Sequence, residues 1–130
     1  MKTAAVIVRS LLGLAFTFFG LNFFLHFMPT PPMSGPVGDF FNATAVETHF
    51  MCVVGAFQLL GGLLTLSGRF TPLGLTVLGP ILVNILAFHV CFTGGHGIGT
   101  GAAFSAMELF LVWAYCRNFA GLFKAAETCK

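Results

Sequence analysis

Charge is what this sequence has least of. Six Lys and Arg and four Asp and Glu among 130 residues cannot cover the surface of a water-soluble domain of this length, and 57% of the residues are hydrophobic. Water is thereby excluded as the main solvent, and the chain reads as an integral membrane protein. The net charge of +2 is small and scattered, which excludes a nucleic-acid footprint and leaves no nucleic-acid partner to expect. The four cysteines, Cys52, Cys91, Cys116 and Cys129, form no CxxC pair and no zinc-type spacing, so they read as isolated packing thiols and no metal site is expected. The apolar run from Leu11 to Met28 lacks a small-x-small cleavage site and exceeds the length of a signal-peptide core. It reads as a retained first span.

What is present is apolar length. A helix needs roughly 20 apolar residues to cross a bilayer core, and four segments qualify: about 6–28, 49–67, 73–93 and 100–116. The breakers "PTPPMSGPVG", "SGRFTP" and "TGGHGIGTG" separate them. The expected fold is all-α, a single transmembrane domain over residues 1–130 built as a four-helix bundle. Lys2, Arg9, Arg69, Arg117, Lys124 and Lys130 all fall on one side of such a bundle, so both termini are expected in the cytoplasm. The loop from Pro29 to Thr48 then faces outward, with "VGDFFNATAVETHF" as a short amphipathic helix on the membrane surface. Trp113 and Tyr115 precede Arg117 as an interfacial belt would, and residues 117–130 read as an amphipathic tail.

Polar residues inside these spans are the candidates for chemistry. Glu108 lies near the middle of the fourth span, where a carboxylate costs about 2.5 kcal/mol or more unless it is protonated or given a partner. It shares a helical face with Gly101, Ser105, Val112 and Tyr115. Its functional reading is a proton-accepting or ligand-binding acid, and its plain reading is a neutral Glu bonded to a neighbouring helix. In the second span Cys52, Gly55, Gln58 and Gly62 form a similar stripe, in which the glycines allow close approach and Gln58 bonds across the contact or meets a ligand. The first span carries Gly13, Thr17, Gly20 and Phe24 on one face, with Asn22 and His26 nearly opposite and spaced to bond to each other.

In the third span Asn84 and His89 are five residues apart, roughly 140° around the helix, so they cannot share a face. Pro80 removes a backbone hydrogen bond and leaves a carbonyl free. His26, His49, His89 and His96 all lie near the outer face, with Cys52 and Cys91 at a similar level. Such a set could ligate haem or a metal, relay protons or bind a quinone headgroup, although histidine is also tolerated near helix ends because its tip reaches water. Haem is the least favoured of these, and a Cys52–Cys91 disulfide requires an oxidising exterior.

The block "GAFQLLGGLLTLSGRFTPLGLTVLGPILVNILAFH", residues 55–89, resembles the DoxX family of small bacterial four-helix membrane proteins, and the likeness extends to "RSLLGLAFTFFGLNFF" near the start. Many members carry Glu where this chain has Gln58, so the resemblance does not extend acid chemistry to that position. The family takes its name from an archaeal thiosulfate:quinone oxidoreductase system, and other members are associated with redox or oxidative-stress proteins. The resemblance implies a bacterial inner membrane and a redox-linked setting. Two functions follow as expectations. One is a non-catalytic accessory subunit that packs in lipid against other membrane subunits of a redox or energy-converting complex. The other is a quinone-reactive subunit in which Glu108 and an outer-face histidine, His89 foremost, handle protons.

Overall fold

The computed structural model describes residues 1–124 and, over them, contains helices and no strands. Helix α1 (Lys2–Leu25) is followed by α2 (Gly35–Phe41), which runs directly into a π-helical turn (Asn42–Glu47). Then come α3 (Phe50–Ser67), α4 (Thr71–Cys91), α5 (Ile98–Ala114), the short α6 (Cys116–Phe119) and one 3-10 turn (Ala120–Phe123). α1, α3 and α4 are long and apolar enough to cross a membrane, whereas α5 is apolar but has only 17 residues.

Local chemistry sets the helix ends. α1 stops at His26, whose backbone turns left-handed at φ 51°, and Asn22 uses its side-chain oxygen to accept the N–H of Met28 at 2.9 Å. Asn22 therefore caps the chain leaving the helix, and its side chain bonds to Met28 where the spacing alone suggested His26. α3 ends at Gly68, φ 75°, and α4 begins immediately with Pro72 in its first turn, where the missing N–H costs nothing. The loop segment 35–47 is amphipathic: Asp39, Asn42 and Glu47 are exposed, while Phe40 and Phe41 pack against Phe88 at 5.4 and 5.7 Å. Phe92 closes the aromatic cluster 5.2 Å from Phe40. At the other end, the helix expected from residue 117 breaks after Phe119 into a tighter turn, and Lys124 is extended. Gly121, a poor helix former, sits in that turn. Residues 125–130 of the expected tail, with Cys129, lie outside the described residues.

The four longest helices pack in a ring, α1 on α3, α3 on α4, α4 on α5 and α5 on α1. Leu12, Phe16, Leu75, Leu78 and Leu111 fill its centre, and Phe16 packs against Phe104 with ring centroids 5.6 Å apart and the rings tilted by 57°. Glycine sets the spacing. A Cβ on Gly20 would stand 2.6 Å from the backbone nitrogen of Leu59 and 2.8 Å from the carbonyl of Gly55. One on Gly62 would stand 2.7 Å from the nitrogen of Thr17, and one on Gly13 would meet the carbonyl of Gly62 at 3.0 Å. Gly13 and Gly20 are seven residues apart, as are Gly55 and Gly62, so each pair returns to one face after two turns. The pairings run in opposite directions, which makes α1 and α3 antiparallel. The α3–α4 contact repeats the device, since a Cβ on Gly74 would meet the nitrogen of Thr65 at 2.6 Å and the carbonyl of Gly61 at 2.8 Å.

Because the obstructing atoms are backbone, no side-chain rotation can relieve an added methyl. Gly20→Ala and Gly62→Ala are each expected to destabilise the protein by about 1–3 kcal/mol, read as a lower melting temperature in detergent. Gly99→Ala meets nothing within 4 Å and should melt within error of the parent or above it.

Candidate functional site

Three polar side chains from three helices reach the interior of the ring at one level. Thr17 of α1 lies against Gly62 of α3, Gly61 lies against Leu78 of α4, and Gly79 of α4 lies against Glu108 of α5, whose Oε1 would be 3.3 Å from a Cβ there. With a rise of about 1.5 Å per residue, Gln58 stands one turn from Gly61. Thr17, Gln58 and Glu108 are therefore within roughly one helical turn of a common plane. Gln58 and Glu108 are each only 6% exposed. Gln58 Oε1, Glu108 Oε2 and Thr17 Oγ1 have no hydrogen-bond partner among the described residues, and neither has Thr65 Oγ1 one face along α3.

Local sequence explains the orientation. Glu108 shares its face with buried Gly101 and half-buried Ser105, Val112 and Tyr115, so the small residues above it leave room for α4 while the carboxyl points inward. Gln58 sits between buried Gly55 and Gly61 on the stripe that carries the close contacts of α3. A polar atom buried without a partner costs about 1–3 kcal/mol, and more when charged. Several acceptor oxygens gathered at one level are suited to meeting a hydrogen-bond donor, a proton or a polar headgroup that enters from the lipid.

Asn84 and His89 do not belong to this layer. Asn84 is exposed and donates its side-chain N–H to the carbonyl of Pro80, one turn back, at 2.9 Å. His89 is half-buried, with Nδ1 at 2.7 Å from the carbonyl of Ile85 and its ring beside Gly97. Each is thus engaged by its own helix. His89 is ten residues along α4 from Gly79, the neighbour of Glu108, or about 15 Å. Glu108 and His89 cannot both touch one small headgroup.

The histidines do gather at one end of the ring. His26 and His49 line a cleft of about 270 Å³ with Met51 and Cys52, and the Cys52 thiol points to the carbonyl of Phe23 at 3.7 Å. Cys52, Cys91 and Cys116 are free thiols, so Cys52 and Cys91 are not bonded to each other. Among the described residues no three of His, Cys, Asp and Glu come together at ligand distance.

Three polar groups were hidden in the sequence: Thr65 and Thr71, both fully buried, with the Thr71 hydroxyl donating to the Thr65 carbonyl at 3.3 Å, and the half-buried Arg9. The only signal for Thr65 is the seven-residue step from Gln58. Arg9 looks like a flanking charge, yet it sits within α1 and packs its guanidinium on Gly68, where a Cβ would be 2.8 Å from Cζ. It also donates from Nη1 to the hydroxyl of Tyr115 at 3.4 Å. The carbonyl end of α3 beside Gly68 favours a cation.

No family model matches the chain, and neither a curated protein nor a solved structure does.

Since neither Gln58 nor Glu108 has a polar partner to lose at the orphaned oxygen, an apolar side chain of similar length should fit at no cost in stability. Gln58→Met and Glu108→Met are expected to melt no lower than the parent in detergent. A drop of several degrees in either would mean that a partner group supports it.

Proposed function

We propose that the chain is a four-span protein of a bacterial inner membrane, with both termini in the cytoplasm, that acts as a non-catalytic accessory subunit of a larger membrane redox or energy-converting complex. The outer surface carries this reading. α1, α3 and α4 bury only 28%, 28% and 22% of their most apolar stretches within the chain, and the remainder is studded with large apolar side chains. Val83 (66% exposed), Leu14 (56%) and Phe57 (53%) are among them, and Leu109 (70%) and Trp113 (59%) do the same on α5. Such a surface is stable against lipid tails or another apolar helix and against nothing else. α5 is about 25 Å long by helical rise, which crosses a bilayer core with slight thinning. Lys2, Arg9, Arg69 and Arg117 sit at one end of the ring and the four histidines at the other, which supports the orientation by the excess of Lys and Arg on cytoplasmic loops. The DoxX-like block over residues 55–89 supports the redox setting.

The polar layer favours a second reading, a quinone-reactive subunit. Glu108 and Gln58 carry buried unpartnered oxygens that a quinone headgroup would meet from within the membrane, with Thr17 within about one helical turn of their level. This reading has one centre, at Glu108. His89, some 15 Å away along α4, is half-buried and bonded to its own helix, and Asn84 faces outward.

Gentle purification from native membranes, followed by mass spectrometry of proteins and small molecules together, separates the two. A stoichiometric membrane partner is expected, and a lone monomer contradicts the accessory role. Quinone that copurifies with the parent and disappears in Glu108→Gln favours the second reading. Orientation has its own check, because Cys91 and Cys116 are exposed at opposite ends. In intact cells an impermeant maleimide should label a variant that keeps only Cys91, and should reach one that keeps only Cys116 after the inner membrane is opened. The reverse order overturns the orientation.

A further inference from the structure

A second cleft lies at the basic end of the ring, between the first turns of α1 and the last turn of α5, with a volume of about 340 Å³. Ala5, Val6 and Ala114 form its apolar walls, and Lys2 and Tyr115 are its polar members. Arg9, two turns along from Lys2, donates to the Tyr115 hydroxyl oxygen at 3.4 Å, which leaves the hydroxyl's own proton free to be given elsewhere. The Arg9 Nε–H is itself buried and unpartnered among the described residues. Lys2 is exposed, Arg117 follows Tyr115 by two residues, and Arg69 stands at the same end. The described carboxylates are elsewhere: Asp39 and Glu47 at the opposite end, Glu108 in the middle. Apolar walls with a cation and a hydroxyl donor at the rim match an amphiphile whose head is an anion.

We propose that this cleft binds the headgroup of an anionic phospholipid, with Lys2 and Tyr115 holding its phosphate while the glycerol and first acyl carbons lie along Val6 and Ala114. Arg9 orients Tyr115 and adds positive potential behind it. The site rests on the reading of the chain as membrane-embedded. In a leaflet that contains anionic lipid, it would hold one lipid at the α1–α5 seam and fix the depth of both helices at that surface.

Trp113, the one tryptophan of the chain, is exposed and directly precedes the lining residues Ala114 and Tyr115, within range of a brominated lipid held there. The full chain is reconstituted in phosphatidylcholine vesicles that contain either brominated phosphatidylglycerol or brominated phosphatidylcholine at equal fraction, and Trp113 quenching is compared. The expected result is stronger quenching by the anionic lipid, with that preference reduced about fivefold in Lys2→Gln, reduced also in Tyr115→Phe, and kept in Arg69→Gln. Inorganic phosphate should leave the preference as chloride does at matched ionic strength. Equal quenching by the two lipids, a preference unchanged in Lys2→Gln, or selective displacement by inorganic phosphate overturns the proposal. Quenching by neither lipid, with the chain washed from the vesicles by alkaline carbonate, overturns the membrane reading itself.

Discussion

The backbone-to-backbone contact between α1 and α3 is the constraint on which the rest of the fold depends. Gly13 and Gly20 on one helix and Gly55 and Gly62 on the other let the two main chains approach until a methyl group would overlap a peptide nitrogen or carbonyl. In lipid, burial of apolar side chains gives little net drive, because the tails are as apolar as leucine; close packing must supply it. Dispersion rises steeply at short range, so a small increase in separation forfeits much of it. The same device joins α3 to α4 through Gly61 and Gly74. α5 is held differently, by Phe104 against Phe16 and Phe19 and by Leu111 in the centre.

That tight seam decides what the polar residues can do. With α1, α3 and α4 drawn together, Thr17, Gln58 and Glu108 come within about one helical turn of a common level, and Thr17 Oγ1, Gln58 Oε1 and Glu108 Oε2 are left without a hydrogen-bond partner among the described residues. Polar groups left unpartnered inside a membrane-type bundle are candidates for function. Arg9 is the counter-example. It is buried in part but has work within the fold, seated on Gly68 at the end of α3 and holding Tyr115 at the break between α5 and α6.

Much of this was legible in the sequence, because apolar runs and their breakers are strong signals in a membrane chain. The three long helices lie within a few residues of the expected spans, and the stripes of Gly13 and Gly20, Gly55 and Gly62, and Glu108 with Gly101 face inward, since helical periodicity alone assigns a face. What periodicity does not carry is which polar side chain bonds to its own helix. Asn84 and His89 look like free functional groups in an apolar run, yet both meet carbonyls one turn back. Nor does it carry the α1–α3 pairing that puts Thr17 beside Gly62, or the reach of Arg9 to Tyr115 across 106 residues. The tail shows a different gap: over its described residues the helix ends after Phe119, where Gly121 disfavours its continuation.

Solid-state NMR of the uniformly carbon-labelled chain in lipid bilayers tests the α1–α3 seam most directly. Through-space correlations between Gly20 Cα and the backbone carbons of Leu59, and between Gly62 Cα and Thr17, are expected at the shortest mixing times that show any contact between helices. A spectrum in which α3–α4 correlations at Gly74 and Thr65 are strong while those between Gly20 and Leu59 are absent would contradict the account.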